Sequence, residues 1–130
     1  MKMKKLIAAV IVSVFALTSC GAGGGVMNQS STDFAKTISD KRVVILDVRT
    51  AGEFAAGHIA NAINIDVEGM QFDVEMGKLD KRLTYAVYCR SGRRSGIATE
   101  KMSLASFTHL YNLTGGIEDW TATGHQIVTA

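Results

Sequence analysis

Residues 84–107 read TYAVYCRSGRRSGIATEKMSLASF, and this stretch combines a strand, a short turn and a helix. The apolar and aromatic run at residues 84–88 predicts a strand, and the apolar spacing of residues 95–107 predicts a helix. Because only six residues separate the end of the strand from the start of the helix, the loop that begins at Cys89 must be tight. Two glycines and three arginines follow that cysteine.

The same alternation of strand and helix extends over the chain from Thr32 onward. Strands are predicted at residues 43–46, 62–65, 84–88 and 109–113. Helices are predicted at residues 34–38, 51–56, 72–79, 95–107 and 117–122, the last of them before Gly124. The second helix begins at Ala51 because Thr50 and Glu53 form a capping box, and Gly57 is predicted to end it in a left-handed conformation. This order indicates an α/β fold with a parallel sheet covered by helices on both faces. In such sheets the functional site lies at the carboxyl ends of the strands, and Cys89 directly follows one.

The N-terminal segment has the composition of a secretory signal. Three lysines precede residues 6–17, which are apolar apart from Ser13. That run is too short for a membrane span of about 20 residues but fits the apolar region of a signal peptide. The following Leu17-Thr18-Ser19-Cys20 resembles a bacterial lipobox, which implies cleavage before Cys20 and acylation of that residue.

The expected organisation is therefore a lipoprotein signal peptide at residues 1–19, a lipidated flexible tether at 20–31 and one folded domain at 32–130. The acyl chains of Cys20 would anchor the protein in a lipid membrane, on the periplasmic or extracytoplasmic face of a bacterial envelope. Without the signal, 11 basic residues face 12 acidic ones, a net charge of −1 that argues against a nucleic-acid partner. The histidines lack ligand-spaced partners, so we expect neither a metal nor a cofactor.

The loop after Cys89 has the features of an anion cradle. Gly92 allows successive N–H groups to converge, and a helix that starts near Ser95 adds the positive end of its dipole. Arg90, Arg93 and Arg94 add full positive charges, and together these effects would lower the pKa of the Cys89 thiol. If Cys20 is acylated, Cys89 is the one remaining thiol and no internal disulfide can form. The competing interpretations are a small buried apolar residue at Cys89 and a solvated basic turn after it.

Three segments of the chain, read together, resemble rhodanese domains. Asp47-Val48-Arg49 through Asn61-Ala62-Ile63-Asn64-Ile65 is similar to their first signature, residues 88–95 to their active-site loop, and Leu113-Thr114-Gly115-Gly116-Ile117 to their closing motif. The matches extend over residues 33–128. One departure is that Ala60 and Asp66 stand where the family often has proline.

The resemblance implies a rhodanese-like fold, with a central parallel sheet of about five strands between helices. It also implies sulfurtransferase activity, in which Cys89 takes a sulfane sulfur from a small donor such as thiosulfate and holds it as a persulfide. A thiol or cyanide acceptor would then remove the sulfur. The loop residues that would bind the donor are Arg90, Ser91, Gly92, Arg93, Arg94 and Ser95.

Other signature residues are expected to be structural. Asp47 and Arg49 are predicted to hold the strand end through a partly buried ion pair, and Glu53 is explained by its capping box. His58 is expected to make structural hydrogen bonds, and Trp120 to belong to the core or a lid.

Three other functions remain open from the residues. A cysteine-dependent phosphatase needs an arginine at the seventh position of the loop, where this chain has Ser95. Thiol reductase or arsenate-reductase chemistry generally needs a resolving cysteine in addition to Cys89. A membrane-tethered module that binds an anion or a partner without turnover is the alternative outside enzyme catalysis.

Overall fold

Every strand pairing in the central sheet is parallel in the computed structural model, which describes residues 25–129. The strands are β1 (Met27–Gln29), β2 (Val44–Asp47), β3 (Ile63–Asn64), β4 (Tyr85–Tyr88) and β5 (Leu110–Leu113). The helices are α1 (Ser31–Ile38), α2 (Ala51–Ala56), α3 (Phe72–Gly77), α4 (Arg93–Leu104) and α5 (Gly116–Ala122). The strand order β1-β5-β4-β2-β3 places β4, the strand before Cys89, at the centre of the sheet. The predicted α/β class and five-stranded parallel sheet are confirmed.

Strand β4 is apolar throughout because both of its faces are covered. Tyr85, Val87 and Cys89 pack into the core that contains the inner side of α4, whereas Ala86 and Tyr88 pack into the opposite core beside α1 and α5. All five side chains are at most 1% exposed. Since side chains alternate along a strand, this register directs the Cys89 side chain to the α4 face.

Helix α2 begins at Ala51, as the capping box predicts. The Thr50 hydroxyl accepts the Glu53 N–H at 3.2 Å, and a Glu53 carboxylate oxygen accepts the Thr50 N–H at 3.4 Å. The prediction of a left-handed stop at Gly57 is wrong, because its φ is 159° and its ψ is 135°. An added Cβ at Gly57 would lie 2.7 Å from Ile127 Cδ1, so the end of that side chain would have to shift.

Helix α4 begins two residues before the predicted position and ends three before it. Gly92 is its N-cap with a left-handed φ of 98°, which allows the helix to start at Arg93. Ser106 has a φ of 75° and reverses the chain, and Phe107 is then fully buried. The apolar spacing continued through this reversal, so the sequence pattern overestimated the length of the helix.

The folded domain starts earlier than predicted. Met27–Gln29 forms edge strand β1, which pairs with residues 111–113 of β5, and the Ser30 hydroxyl caps α1 by accepting the Asp33 N–H at 3.2 Å. The prediction of a flexible tether is therefore wrong for residues 27–31. The reason is that backbone pairing with β5 stabilises a three-residue strand that is too short to show an apolar pattern of its own.

The predicted signal peptide at residues 1–19 and the predicted acylation of Cys20 lie outside the described residues. Between residues 25 and 129, no helix has both the length and the apolar character required to cross a membrane.

The ion pair expected between Asp47 and Arg49 is present, and it is more deeply buried than predicted. Arg49 Nη2 lies 2.7 Å from Asp47 Oδ2, and the two side chains are 6% and 0% exposed. Arg49 also donates to the Gly57 carbonyl at 2.7 Å, and the Asn64 amide donates to both Asp47 O and Arg49 O. Burial alone would lower the pKa of Arg49, but the hydrogen bond and charge of Asp47 raise it. The pair thus ties the end of β2 to the end of α2 and to β3.

We predict that Asp47→Asn lowers the free energy of unfolding by about 3–5 kcal/mol, because it leaves the Arg49 charge buried without its partner. Urea denaturation measures the change. The matched control is Asp40→Asn, since Asp40 and Arg42 repeat the same Asp-x-Arg contacts with an Arg42 side chain that is 90% exposed. The control should unfold like the wild type, and equal losses in both variants would contradict a role for burial.

Candidate active site

The thiol of Cys89 lies inside the loop that connects β4 to α4. Its Sγ accepts a hydrogen bond from the Gly92 N–H at 3.1 Å and lies 3.3 Å from the Ser95 hydroxyl oxygen. The residue is 1% exposed, so these contacts occur in a nearly water-free environment. The loop therefore has the predicted cradle geometry, with its donors directed at the sulfur.

Hydrogen bonds control the ionisation of this thiol. Burial alone would raise the pKa of Cys89, but the Ser95 hydroxyl and the backbone N–H groups of Ser95, Ser91 and Gly92 outweigh that effect and lower it. The direction of the shift agrees with the sequence prediction. Of the predicted causes, the converging N–H groups contribute more than the arginine charges, and the Ser95 hydroxyl adds a donor that was not predicted.

Glycine is required at two positions where backbones approach each other closely. Gly92 has a φ of 98°, and a Cβ at this position would overlap the Thr114 carbonyl. Gly116 has a φ of 63°, and a Cβ there would overlap the Arg90 carbonyl. The cysteine loop and the turn between β5 and α5 are thus in direct backbone contact, which is the structural reason for glycines in both motifs.

The first turn of α5 also satisfies the carbonyl groups of the loop. The Ile117 N–H donates to Cys89 O at 2.9 Å, and the Glu118 N–H donates to Arg90 O at 3.1 Å. These two bonds fix two consecutive carbonyl groups of the loop, those of Cys89 and Arg90. Sequence spacing could not reveal them, because the partners are about 28 residues apart and meet only in the folded sheet.

Arg94 is bound by Glu53 across the site. Its two terminal nitrogens lie 2.7 and 2.9 Å from the two Glu53 oxygens, and its side chain is 13% exposed. The hydrogen bond from Arg94 is the main reason that the pKa of Glu53 falls to about 2. Glu53 therefore binds Arg94 in addition to forming the capping box. This contact could not be predicted from the sequence, because Glu53 and Arg94 belong to different helices.

The other two loop arginines also contact carboxylates. Arg90 Nε lies 2.8 Å from Glu118, and Arg93 Nη2 lies 3.5 Å from Glu68. Both arginine side chains are largely exposed, at 67% and 72%. All three arginines predicted to bind the donor thus surround the cysteine loop, each beside a glutamate that offsets its charge.

His58 and Trp120 have structural positions, as expected. His58 is buried, with its Nδ1 2.8 Å from Phe54 O, and its backbone exchanges two hydrogen bonds of 2.8 Å with Val128. Trp120 is also buried and donates its ring N–H to Gln126 O at 3.0 Å. Both residues thus bind residues 126–128 to the rest of the domain through hydrogen bonds.

A groove of about 470 Å³ opens beside the loop, which is within the usual size range of small-molecule sites. Apolar side chains, chiefly Ile117 and Ile127, form much of its wall, and Glu53, Arg90 and Glu118 contribute charges. Arg90 belongs to both the groove and the loop, and Ile117 and Glu118 line the groove while their N–H groups bind the loop backbone. A molecule in the groove would therefore lie next to the cysteine segment.

Comparison with known proteins agrees with this geometry. The model of the family described as "Rhodanese-like domain" matches residues 30–123. The thiosulfate sulfurtransferase PspE of Escherichia coli is 36% identical over 74 residues, which are 57% of this chain and 70% of that protein. A tRNA uridine(34) hydroxylase of Buchnera aphidicola is 34% identical over 86 residues, 62% of this chain, and the match spans about a quarter (26%) of that longer protein.

A solved structure shows the same fold. The crystal structure of a rhodanese-related protein from Thermoplasma volcanium has a TM-score of 0.71 and 31% sequence identity, over 80% of this chain and 99% of that one. The family model covers most of the described domain, including the β4 loop, the buried Asp47–Arg49 pair and the turn before α5. The chain therefore belongs to the rhodanese-like domain family.

Proposed function

We propose that this protein is a sulfurtransferase that carries a sulfane sulfur on Cys89, from a donor such as thiosulfate to a thiol or cyanide acceptor. The observation that carries the proposal is the Cys89 Sγ enclosed by hydrogen-bond donors that lower its pKa. Relatives named thiosulfate sulfurtransferase, in Escherichia coli and Coxiella burnetii, support the same chemistry.

The reaction has two displacement steps. The Cys89 thiolate attacks the outer sulfur of thiosulfate, a new S–S bond forms, and the original S–S bond breaks with its electron pair leaving on sulfite. The acceptor then attacks the terminal sulfur of the persulfide and forms a bond to it. The S–S bond to Cys89 breaks, and its electron pair remains on Sγ, which restores the thiolate. The Gly92 N–H and Ser95 hydroxyl that bind the thiolate are placed to stabilise the anionic sulfur in both steps.

The geometry favours sulfur transfer over phosphatase chemistry. Phosphate transfer by a cysteine loop needs an arginine at the seventh position, but here Ser95 occupies it and its hydroxyl lies beside the thiol. Arg94 at the sixth position is engaged by both oxygens of Glu53. A six-residue loop with no arginine at the seventh position is poorly suited to three phosphate oxygens.

We also propose that the protein is a lipoprotein, anchored through acylated Cys20 and exposed on the extracytoplasmic side of a bacterial membrane. The charged start, the apolar run at residues 6–17 and the lipobox-like Leu17-Thr18-Ser19-Cys20 support this localisation. Two or more acyl chains on one residue would provide stable anchoring.

Cys89→Ser should abolish thiocyanate formation from thiosulfate and cyanide while leaving the melting temperature nearly unchanged. Intact-protein mass spectrometry after thiosulfate treatment should show one added sulfur on the wild type and none on the variant. Ser103→Ala, at the opposite end of the same helix from the loop, serves as the control and should retain activity. Wild-type turnover of an aryl phosphate without sulfur transfer would refute the proposal, and inactivity on both substrates would favour a binding module.

Ser95→Ala should raise the pKa of Cys89, because the variant loses the hydroxyl that helps to stabilise the thiolate. Since only the thiolate reacts with iodoacetamide, the midpoint of the alkylation rate should move to higher pH. Ser103→Ala should leave the midpoint in place. A midpoint unchanged in Ser95→Ala would show that the backbone N–H groups alone determine the ionisation.

Arg94→Ala should raise the KM for thiosulfate by a few-fold to about 100-fold, the loss expected for one charge-assisted contact. Glu53→Gln should lower that KM, because Glu53 competes with the donor for Arg94. Steady-state kinetics with cyanide in excess measure both effects, and Arg42→Ala, far from the loop, is the control. An unchanged KM in Arg94→Ala would place the donor elsewhere.

A further inference from the structure

The parallel sheet gives the domain two chemically different ends. The carboxyl ends of the strands carry the Cys89 loop, and the amino ends carry residues 40–43, 80–84 and 104–109 together with the start of β1. We call this second set the amino-end face. Residues 84 and 89 are five positions apart along β4, so the thiol lies about 17 Å from this face.

Two matching basic turns form the centre of the amino-end face. Residues 40–42 and 80–82 both read Asp-Lys-Arg, and each precedes one of the neighbouring strands β2 and β4. In each turn the arginine binds the aspartate through its backbone N–H and its guanidinium, at 2.9–3.1 Å. Arg42 and Arg82 are 90% and 89% exposed, which leaves the turns open to solvent.

Each turn contributes one net positive charge. Hydrogen bonds from Arg42 hold the pKa of Asp40 at about 2, and those from Arg82 likewise lower the pKa of Asp80. Both aspartates are therefore ionised near neutral pH and offset the neighbouring arginines. The charges of the exposed Lys41 and Lys81 remain.

Exposed apolar side chains accompany these lysines. Leu104, which ends α4, is 82% exposed, Met27, which begins β1, is 59% exposed, and Leu83, two residues before β4, is 41% exposed. Lys81 Nζ lies 5.9 Å from the centre of the Phe107 ring, which connects the second basic turn to the loop after α4. Lysines interspersed with protruding apolar side chains are typical of surfaces that rest on anionic lipid.

The preference of helix termini for charged residues does not account for this surface. It explains Lys36 and Lys101, which lie in the last turns of α1 and α4. Lys41 and Lys81 are in turns outside the helices, and helix dipoles do not explain an exposed Leu104. The opposite end of the domain differs, because residues 89–95 contain no lysine and each of their three arginines lies beside a glutamate.

The N-terminal chain joins the domain at this same face. Since β1 begins at Met27, only six residues separate it from Cys20. The seven steps along the chain from Cys20 to Met27 span at most about 25 Å even when fully extended. An acylated Cys20 would therefore hold the amino-end face next to the bilayer.

We propose that the amino-end face is a lipid-binding surface that rests on anionic phospholipid and orients the Cys89 loop toward the aqueous compartment. This inference depends on the proposed acylation of Cys20 and is independent of sulfur transfer. The sulfur donor and acceptor then reach the site from solution, about 17 Å above the lipid-facing surface.

Hydrogen–deuterium exchange of the full, processed protein tests the proposal on phosphatidylcholine vesicles with and without phosphatidylglycerol. Amides of residues 40–43, 80–84 and 104–109 should exchange about fivefold or more slowly on the anionic vesicles, in line with the attraction of a lysine to such a surface. The double variant Lys41→Gln with Lys81→Gln should lose this protection. Lys41→Arg with Lys81→Arg retains both charges and should keep it.

The possible results distinguish three proposals: lipid binding by the amino-end face, acylation of Cys20 and sulfur transfer by Cys89. If the protein floats with the vesicles but exchanges equally on both lipid compositions, the amino-end face is not a lipid-binding surface. The same conclusion follows if exchange slows at residues 89–95 and not at the amino-end face. If the full chain floats no better than Cys20→Ala, the acylation and this proposal both fail. Thiosulfate-dependent thiocyanate formation, measured on the same samples, reports on the proposed chemistry separately.

Discussion

The close contact between the cysteine loop and the turn before α5 is the constraint on which the site depends. Gly92 lies against the Thr114 carbonyl, Gly116 against the Arg90 carbonyl, and the Ile117 N–H binds Cys89 O. A side chain at either glycine would push the two segments apart. The N–H groups that converge on Sγ are directed by this backbone packing, so the chemistry of the thiol follows from the contact of two loops at the end of the sheet.

A buried thiolate needs specific partners, and this site provides them mainly as neutral donors. Burial opposes ionisation of Cys89, while the Ser95 hydroxyl and backbone N–H groups favour it and prevail. The arginines are arranged differently, each beside a glutamate. Such pairs keep the rim of the site close to electroneutral, so the proposed anionic donor would have to compete with carboxylates for the arginines.

The parallel direction of all five strands relates the two ends of the domain. The same topology that collects the Cys89 loop at one end collects the Asp-Lys-Arg turns and the entry of the chain at the other. The position of an Asp-x-Arg motif along the strands therefore decides its role. The motifs at residues 40–42 and 80–82 lie at the amino ends of strands and are exposed to solvent. Asp47 and Arg49 have the same spacing but lie at the carboxyl end of β2, where burial turns the pair into a structural tie.

The sequence by itself determined the α/β class, the order of the elements from α1 onward and the position of Cys89 directly after a strand. These features depend on local periodicity, on capping residues such as Thr50 and Glu53, and on short motifs, all of which can be recognised within a few residues. Only the tertiary structure decided the partners of the loop arginines, the packing of Gly57 against Ile127 and the inclusion of Met27–Gln29 in the sheet. The physical reason is that these features are contacts between segments up to about 85 residues apart in the chain, and no local pattern encodes which carboxylate or backbone the folded sheet will place beside them.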